Sequence, residues 1–155
     1  MNMKKKILVT GFEPYGMKGL LFNRNESKEI ALRLKRKYGF EILILPVNKS
    51  CVEKLVKKIY KYKPDIIICL GQSDGGLRIE SLCYKGESAL QSKFAQEIKH
   101  KLKFVNDNIG AYFCNDIYYE ALNWVPNTVF IHIPIYTKFS KVDRIIRYII
   151  KKEKV

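Results

Sequence analysis

Short runs of consecutive apolar residues alternate along this chain with longer stretches in which apolar positions recur every three or four residues. The first pattern marks strands buried on both faces, the second helices with one buried stripe. The run from Lys5 to Thr10 predicts a first strand ending at Gly11. A helix is predicted from about Ser27 to Tyr38, with Ile30, Leu34 and Tyr38 on one side. Glu26 and Glu29 near its start, Arg33 to Lys37 near its end and Gly39 just beyond follow the dipole and C-cap preferences. Phe40 to Leu45 reads as a second strand. Ser50-Cys51-Val52-Glu53 has the form of a capping box, opening a helix whose stripe is Val52, Leu55, Val56 and Ile59. The apolar run Asp65 to Gly71 predicts a central parallel strand.

Further along, Leu77 to Tyr84 reads as one extended segment, and the Lys-rich stretch to Lys103 shows only a weak helical pattern around Phe94 and Ile98. The polar residues Asp107 and Asn108 are candidate N-caps for a helix with Phe113, Ile117, Ala121 and Trp124 on its buried face. Asn127 to Pro134 is another buried strand, and Ser140-Lys141-Val142-Asp143 opens a last helix buried through Val142, Ile145, Ile146 and Ile149. The alternation predicts an α/β fold: a doubly wound, mostly parallel central sheet flanked by helices in three layers. Nothing in the pattern divides the chain, so residues 1–155 are expected to form one domain. In such a sheet the site lies beyond the carboxyl ends of the strands, which brings the Phe12–Gly16 and Gly71–Gly76 loops to one rim.

Composition narrows the partners. Apolar residues make up 47% of the chain, which excludes a disordered protein. The formal charge of +14 raises nucleic acid as a partner, but the lysines are spread over helix faces and ends without an Arg-rich arm. A solvated Lys-rich surface accounts for the charge, and nucleic acid is not expected. Cys51, Cys69, Cys83 and Cys114 form no CxxC pair, and no GxGxxG or Walker pattern occurs. No run reaches membrane-spanning length, and the basic start is too quickly interrupted for a signal peptide. A cytoplasmic protein with reduced thiols and no membrane partner is expected.

Three residues carry candidate chemistry. Cys114 falls in or near a first helical turn, where free N–H groups and the helix dipole favour a thiolate and could hold an oxyanion. Cys51 shares that position in its own helix, so taken alone Cys114 reads as a buried structural cysteine ahead of a reactive one. Glu80 is either an exposed strand residue or a carboxylate held at the rim. His132, near the carboxyl end of its strand, is a structural histidine or a base.

Several motifs, in order, resemble the pyroglutamyl peptidase I (pyrrolidone-carboxylate peptidase) family of cysteine peptidases. Val9-Thr10-Gly11-Phe12-Glu13-Pro14-Tyr15-Gly16 is similar to the family's VTGFEPFG, and Asn25-Glu26-Ser27 stands where Asn-Pro-Ser or Asn-Pro-Thr is usual. Gly71-Gln72 and Glu80 resemble the next rim loop and its glutamate. Asn108 to Asn115 resembles TAGTYxCN, and Phe130-Ile131-His132-Ile133-Pro134 resembles FIHVP. The resemblance implies a catalytic triad of Cys114, His132 and Glu80, with Phe12, Tyr15 and Gln72 binding substrate. It implies a peptide with an N-terminal pyroglutamyl residue as substrate, no metal or organic cofactor, and assembly as a homo-oligomer. It also implies further substrate-wall residues and an arginine close to the site, from a segment between Glu80 and Cys114 that is shorter here; residues 85–104 contain no arginine. The alternative is a relative without working catalysis that binds a ligand at the rim, or a basic surface-binding protein on the same fold.

Overall fold

The computed structural model describes residues 3–14 and 24–155. Their elements are β1 (Ile7–Phe12), α1 (Glu26–Tyr38), β2 (Glu41–Leu45), α2 (Cys51–Tyr62), β3 (Ile66–Gln72), β4 (Arg78–Glu80), β5 (Leu82–Lys85), β6 (Ser88–Gln91), α3 (Lys93–Lys101), α4 (Phe113–Trp124), β7 (Thr128–Ile133) and α5 (Phe139–Glu153). The main sheet has the order β2-β1-β3-β7-β4. Its first four strands are parallel, and β4 runs antiparallel to β7 at the edge. The mostly parallel sheet expected from the apolar runs is borne out.

Side chains leave this sheet in two sets, because successive residues of a strand point to opposite faces. Ile7, Val9, Ile66, Ile68, Leu70, Ile79, Val129, Ile131 and Ile133 pack with the apolar stripes of α1, α3 and α5. Leu8, Ile67, Cys69 and Phe130 pack on the other face with α2 and α4. Three layers result, and each fully buried Leu or Ile contributes roughly 1.5–3 kcal/mol.

Local chemistry sets the ends of the helices. The Asn25 side chain accepts from the Ser27 N–H to cap α1, and Gly39 closes it in the left-handed conformation with φ 71°. The expected capping box of α2 does not form, since the Ser50 N–H and hydroxyl both donate to Asn48 Oδ1, at 2.9 and 2.6 Å.

Four other expectations change. The segment Leu77–Tyr84 is two strands, not one: β4 joins the main sheet, whereas β5 pairs with β6 in a separate hairpin. The break falls at Ser81, whose N–H donates to Asp107 Oδ1 and whose carbonyl accepts from the Ser92 N–H. The unassigned Lys-rich stretch contains α3, buried through Phe94, Ala95, Ile98 and also Lys99, which pairs with Asp107. Trp124, expected on the buried face of α4, is 51% exposed at the end of that helix. Finally, α4 starts at Phe113 rather than just after Asp107 and Asn108: the Asp107 carboxylate is tied to Ser81, and Gly110 takes a left-handed φ of 77° that no right-handed helix can include.

Candidate active site

Strand order reverses between β1 and β3, and the crevice opens at their carboxyl ends. Phe12 closes β1 and Gln72 closes β3, and both line a cavity of about 480 Å³ together with Arg78, Asn108, Cys114 and His132. The twofold period of the strands decides what faces this cavity. On β7 the alternation that sends Ile131 and Ile133 to one layer sends Phe130 and His132 to the other. On β4 it sends Ile79 inward and leaves Arg78 and Glu80 on the side of His132. On β3, Gly71 pairs in register with His132.

Glu80 and His132 form the centre. Glu80 is fully buried, which decides against an exposed strand residue. Its Oε1 accepts from His132 Nδ1 at 2.8 Å, and its Oε2 accepts from the Asn108 N–H at 2.7 Å. With Nδ1–H committed to the carboxylate, the imidazole presents Nε2 as its free nitrogen. Burial would raise the Glu80 carboxyl, but His132, the Asn108 N–H and Arg78 together hold it below the usual carboxylate range. The Tyr118 hydroxyl donates to the Glu80 carbonyl at 2.8 Å and so fixes the backbone behind it.

Cys114 is the second residue of α4. It is half-buried, whereas Cys51, Cys69 and Cys83 are buried, so exposure separates it from the cysteine that shares its helix-start position. A Cβ on Gly71 would lie 2.9 Å from the Cys114 sulfur and 2.8 Å from the Phe130 ring. A residue without a side chain is therefore required for the thiol to settle onto β3 at Gly71. The helix start does not by itself produce a thiolate. Burial first, and the Glu80 charge second, push the Cys114 thiol up to about 12. Its proton would need an acceptor, and the His132 imidazole lines the same cavity.

Of the expected substrate residues, Phe12 and Gln72 line the cavity, and Tyr15 lies outside the described residues. Gln72 is oriented by the Glu26 N–H, which donates to its Oε1 at 2.8 Å. Asp107 and Asn108, read from sequence as helix caps, serve the site. Asn108 holds Glu80, while Asp107 is tied by Ser81 and Lys99.

Sequence reasoning missed Arg78. The arginine implied near the site was sought after Glu80, and the structure has one two residues before it. Arg78 Nε donates to Glu80 Oε1 at 3.1 Å, and Nη2 donates to Ser73 Oγ at 2.8 Å. Only its alternation with Glu80 on one strand face could have signalled this. Among the described residues, no group of three or more His, Cys, Asp and Glu side chains is arranged to hold a metal ion.

Known proteins resemble this chain in sequence and in fold. A family profile described as "Pyroglutamyl peptidase" matches residues 5–82, half of the chain. The chain belongs to the pyroglutamyl peptidase family. The match ends at Leu82, within the span between Glu80 and Cys114. The pyrrolidone-carboxylate peptidase of Bacillus subtilis (strain 168) is 27% identical over 92% of this chain and 83% of its own length. The pyroglutamyl peptidase I of Bacillus amyloliquefaciens superposes with a TM-score of 0.74 at 22% identity, covering 94% of this chain and 92% of that one, a likeness of fold. A variant of the Pyrococcus furiosus pyrrolidone carboxyl peptidase is 27% identical with a TM-score of 0.65, over 83% and 80% of the two chains. Family, fold and the cysteine-peptidase class are as the motifs led one to expect.

Proposed function

We propose that this protein hydrolyses the amide bond after an N-terminal pyroglutamyl residue, with Cys114, His132 and Glu80 as its triad. The observation that carries this reading is the buried His132–Glu80 hydrogen bond, 2.8 Å long, in a cavity that the Cys114 thiol shares. His132 Nε2 takes the thiol proton as the sulfur bonds to the pyroglutamyl carbonyl carbon. The resulting oxyanion is held by the backbone N–H groups of Phe113 and Cys114 at the start of α4, since those of Asn115 and Asp116 already donate to the Tyr112 carbonyl. His132 then gives its proton to the amine as the C–N bond breaks. Water attacks the thioester, the C–S bond breaks and the proton returns to the sulfur, releasing pyroglutamate. Glu80 orients the imidazole and stabilises its charged form. Phe12 packs on the lactam ring, and Gln72 hydrogen-bonds its amide. No metal or organic cofactor enters a step.

The first test is fluorophore release from a pyroglutamyl–amide substrate by the parent and by Cys114→Ser. Turnover that vanishes in the variant supports the reading. A well-folded parent without turnover rejects it and favours ligand binding at the rim. A cytoplasmic location and a homo-oligomeric state belong to the same proposal, to be read by cell fractionation and sedimentation. Neither nucleic acid nor a membrane is a partner in it; no described helix is long and apolar enough to cross one.

A further inference from the structure

We infer that Arg78 is a positioning residue of this site, supplying the fixed positive charge and the clamp that keep Glu80 ionised and aimed at His132. The inference rests on the triad reading above. It stands on where the sheet places the residue and on what its guanidinium touches.

Arg78 pairs across the antiparallel β4–β7 ladder with His132 itself. Because Glu80 lies two residues along the same strand, both side chains leave the sheet on the side of the cavity. Arg78 Nε and His132 Nδ1 donate to the same oxygen, Glu80 Oε1, at 3.1 and 2.8 Å. One carboxylate oxygen is thereby fixed by two donors, and the other by the Asn108 N–H.

The remaining guanidinium donors hold the surrounding rim. Nη2 donates to Ser73 Oγ at 2.8 Å and to the Asn108 carbonyl at 3.4 Å, while Nη1 donates to the Gly76 carbonyl at 3.3 Å. A Cβ on Gly75 would fall 1.8 Å from Nη1, so the guanidinium lies directly on that backbone. The loop after β3, the strand β4 and the loop before α4 are thus joined through one side chain that is 13% exposed. Lysine offers a point charge without this fork, so it could reproduce the field but not the clamp.

The charge has a chemical use. The groups facing Glu80 are His132 from β7, Arg78 from its own strand, the Asn108 N–H from the loop and the Cys114 thiol from α4. The Glu80 anion opposes formation of a thiolate at Cys114. A guanidinium on Glu80 offsets that opposition while leaving the carboxylate ionised to hold the imidazole.

The test compares Arg78→Met and Arg78→Lys with the parent in two assays. One is the pH profile of kcat/KM on a pyroglutamyl–amide substrate. The other is the rate of Cys114 alkylation by iodoacetamide at fixed pH, read by mass spectrometry, which needs no substrate. Arg78→Met should lower kcat about ten- to a hundredfold with KM little changed, and shift the acid limb up by ~0.5–1 pH unit. Cys114 alkylation should slow about threefold or more. Arg78→Lys should restore the acid limb and the alkylation rate while leaving kcat below the parent. An unmoved acid limb and alkylation rate overturn the inference, even where activity falls, because loss of structure alone explains that result. A parent that does not turn over, yet whose alkylation slows in Arg78→Met and recovers in Arg78→Lys, rejects the substrate reading and upholds Arg78. Should Arg78→Met fail to fold, Arg78→Gln, which keeps donors without the charge, carries the same comparison.

Discussion

Gly71 lies directly beneath the Cys114 sulfur, close enough that a Cβ on it would stand 2.9 Å from Sγ. The thiol can settle over β3, at the residue in register with His132, only because that methyl group is missing. Gly71→Ala should displace the thiol and the Phe130 ring together, since both meet the new atom. The expected cost is about 1–3 kcal/mol of stability from overpacking. The expected loss in kcat/KM is about tenfold or more, equivalent to ~1.4 kcal/mol at the transition state. Denaturant unfolding and steady-state kinetics check the two effects separately. Unchanged kinetics would mean that Cys114 does not react from this position.

Gln72 is oriented by a backbone N–H, and that N–H can be removed cleanly. Glu26 is the first residue of α1, where proline is well tolerated, and Asn25 before it already has the extended backbone that proline requires, φ −120° and ψ 122°. Glu26→Pro should leave stability within about 1 kcal/mol of a Glu26→Ala control, while freeing the Gln72 side chain. KM should rise roughly tenfold over the control with kcat little changed, as expected for one lost hydrogen bond of ~1.5 kcal/mol. Equal KM in the two variants would remove Gln72 from substrate binding.

Acid should act through Glu80. Its carboxyl titrates below the usual range in the folded protein. The unfolded chain therefore takes up a proton first as pH falls, so the carboxylate's contribution to stability is complete above about pH 4.3 and is lost below it. Glu80→Gln should be less stable than the parent by ~1–3 kcal/mol at neutral pH, with the gap narrowing at pH 3.5. Its turnover should fall about a hundredfold or more, because an amide cannot stabilise the imidazolium. Urea midpoints at pH 7, 5 and 3.5 provide the check; a gap constant with pH would contradict the assignment.

Lys99 and Asp107 brace the loop that presents the Asn108 N–H to Glu80. Lys99→Met keeps most of the buried stem but strands the Asp107 charge. A loss of about 1–3 kcal/mol is expected, less than for a fully buried pair because Asp107 is partly exposed. Turnover should fall several-fold through the loosened loop. Lys99→Met with Asp107→Asn should recover part of both losses, which a double-mutant cycle measures. Strictly additive losses would separate the pair from the site.

Residues whose role is set by their neighbours along the chain were legible from sequence. The continuous runs at Ile7, Ile66 and Val129 could only be strands buried on both faces, and Gly39 had to end α1. The triad types were legible as motifs. Roles set by partners far along the chain were not. Asp107 and Asn108 have the chemistry of helix caps, but the Asp107 carboxylate goes to Ser81 and Lys99, and the Asn108 backbone N–H goes to Glu80. Lys99 is one lysine among many in its stretch, and nothing local marks Asp107, eight residues on, as its partner. The stretch Leu77–Tyr84 kept an extended pattern through Ser81, and nothing local showed that its two halves join different sheets. Arg78 gained its meaning only when β4 turned out to run antiparallel beside β7.

The phase of the strands has a consequence for how this chain tolerates insertions and deletions. Gly71, Phe130, His132, Arg78 and Glu80 meet because each sits on the same parity of its strand. Residues added to or removed from a connection leave that parity untouched, so the span between Glu80 and Cys114 can be short while the constellation stays assembled. One residue inserted ahead of His132 within β7 would instead turn the imidazole into the opposite layer, against α1, α3 and α5. The molecule is elastic in its connections and unforgiving, by a single residue, within its strands.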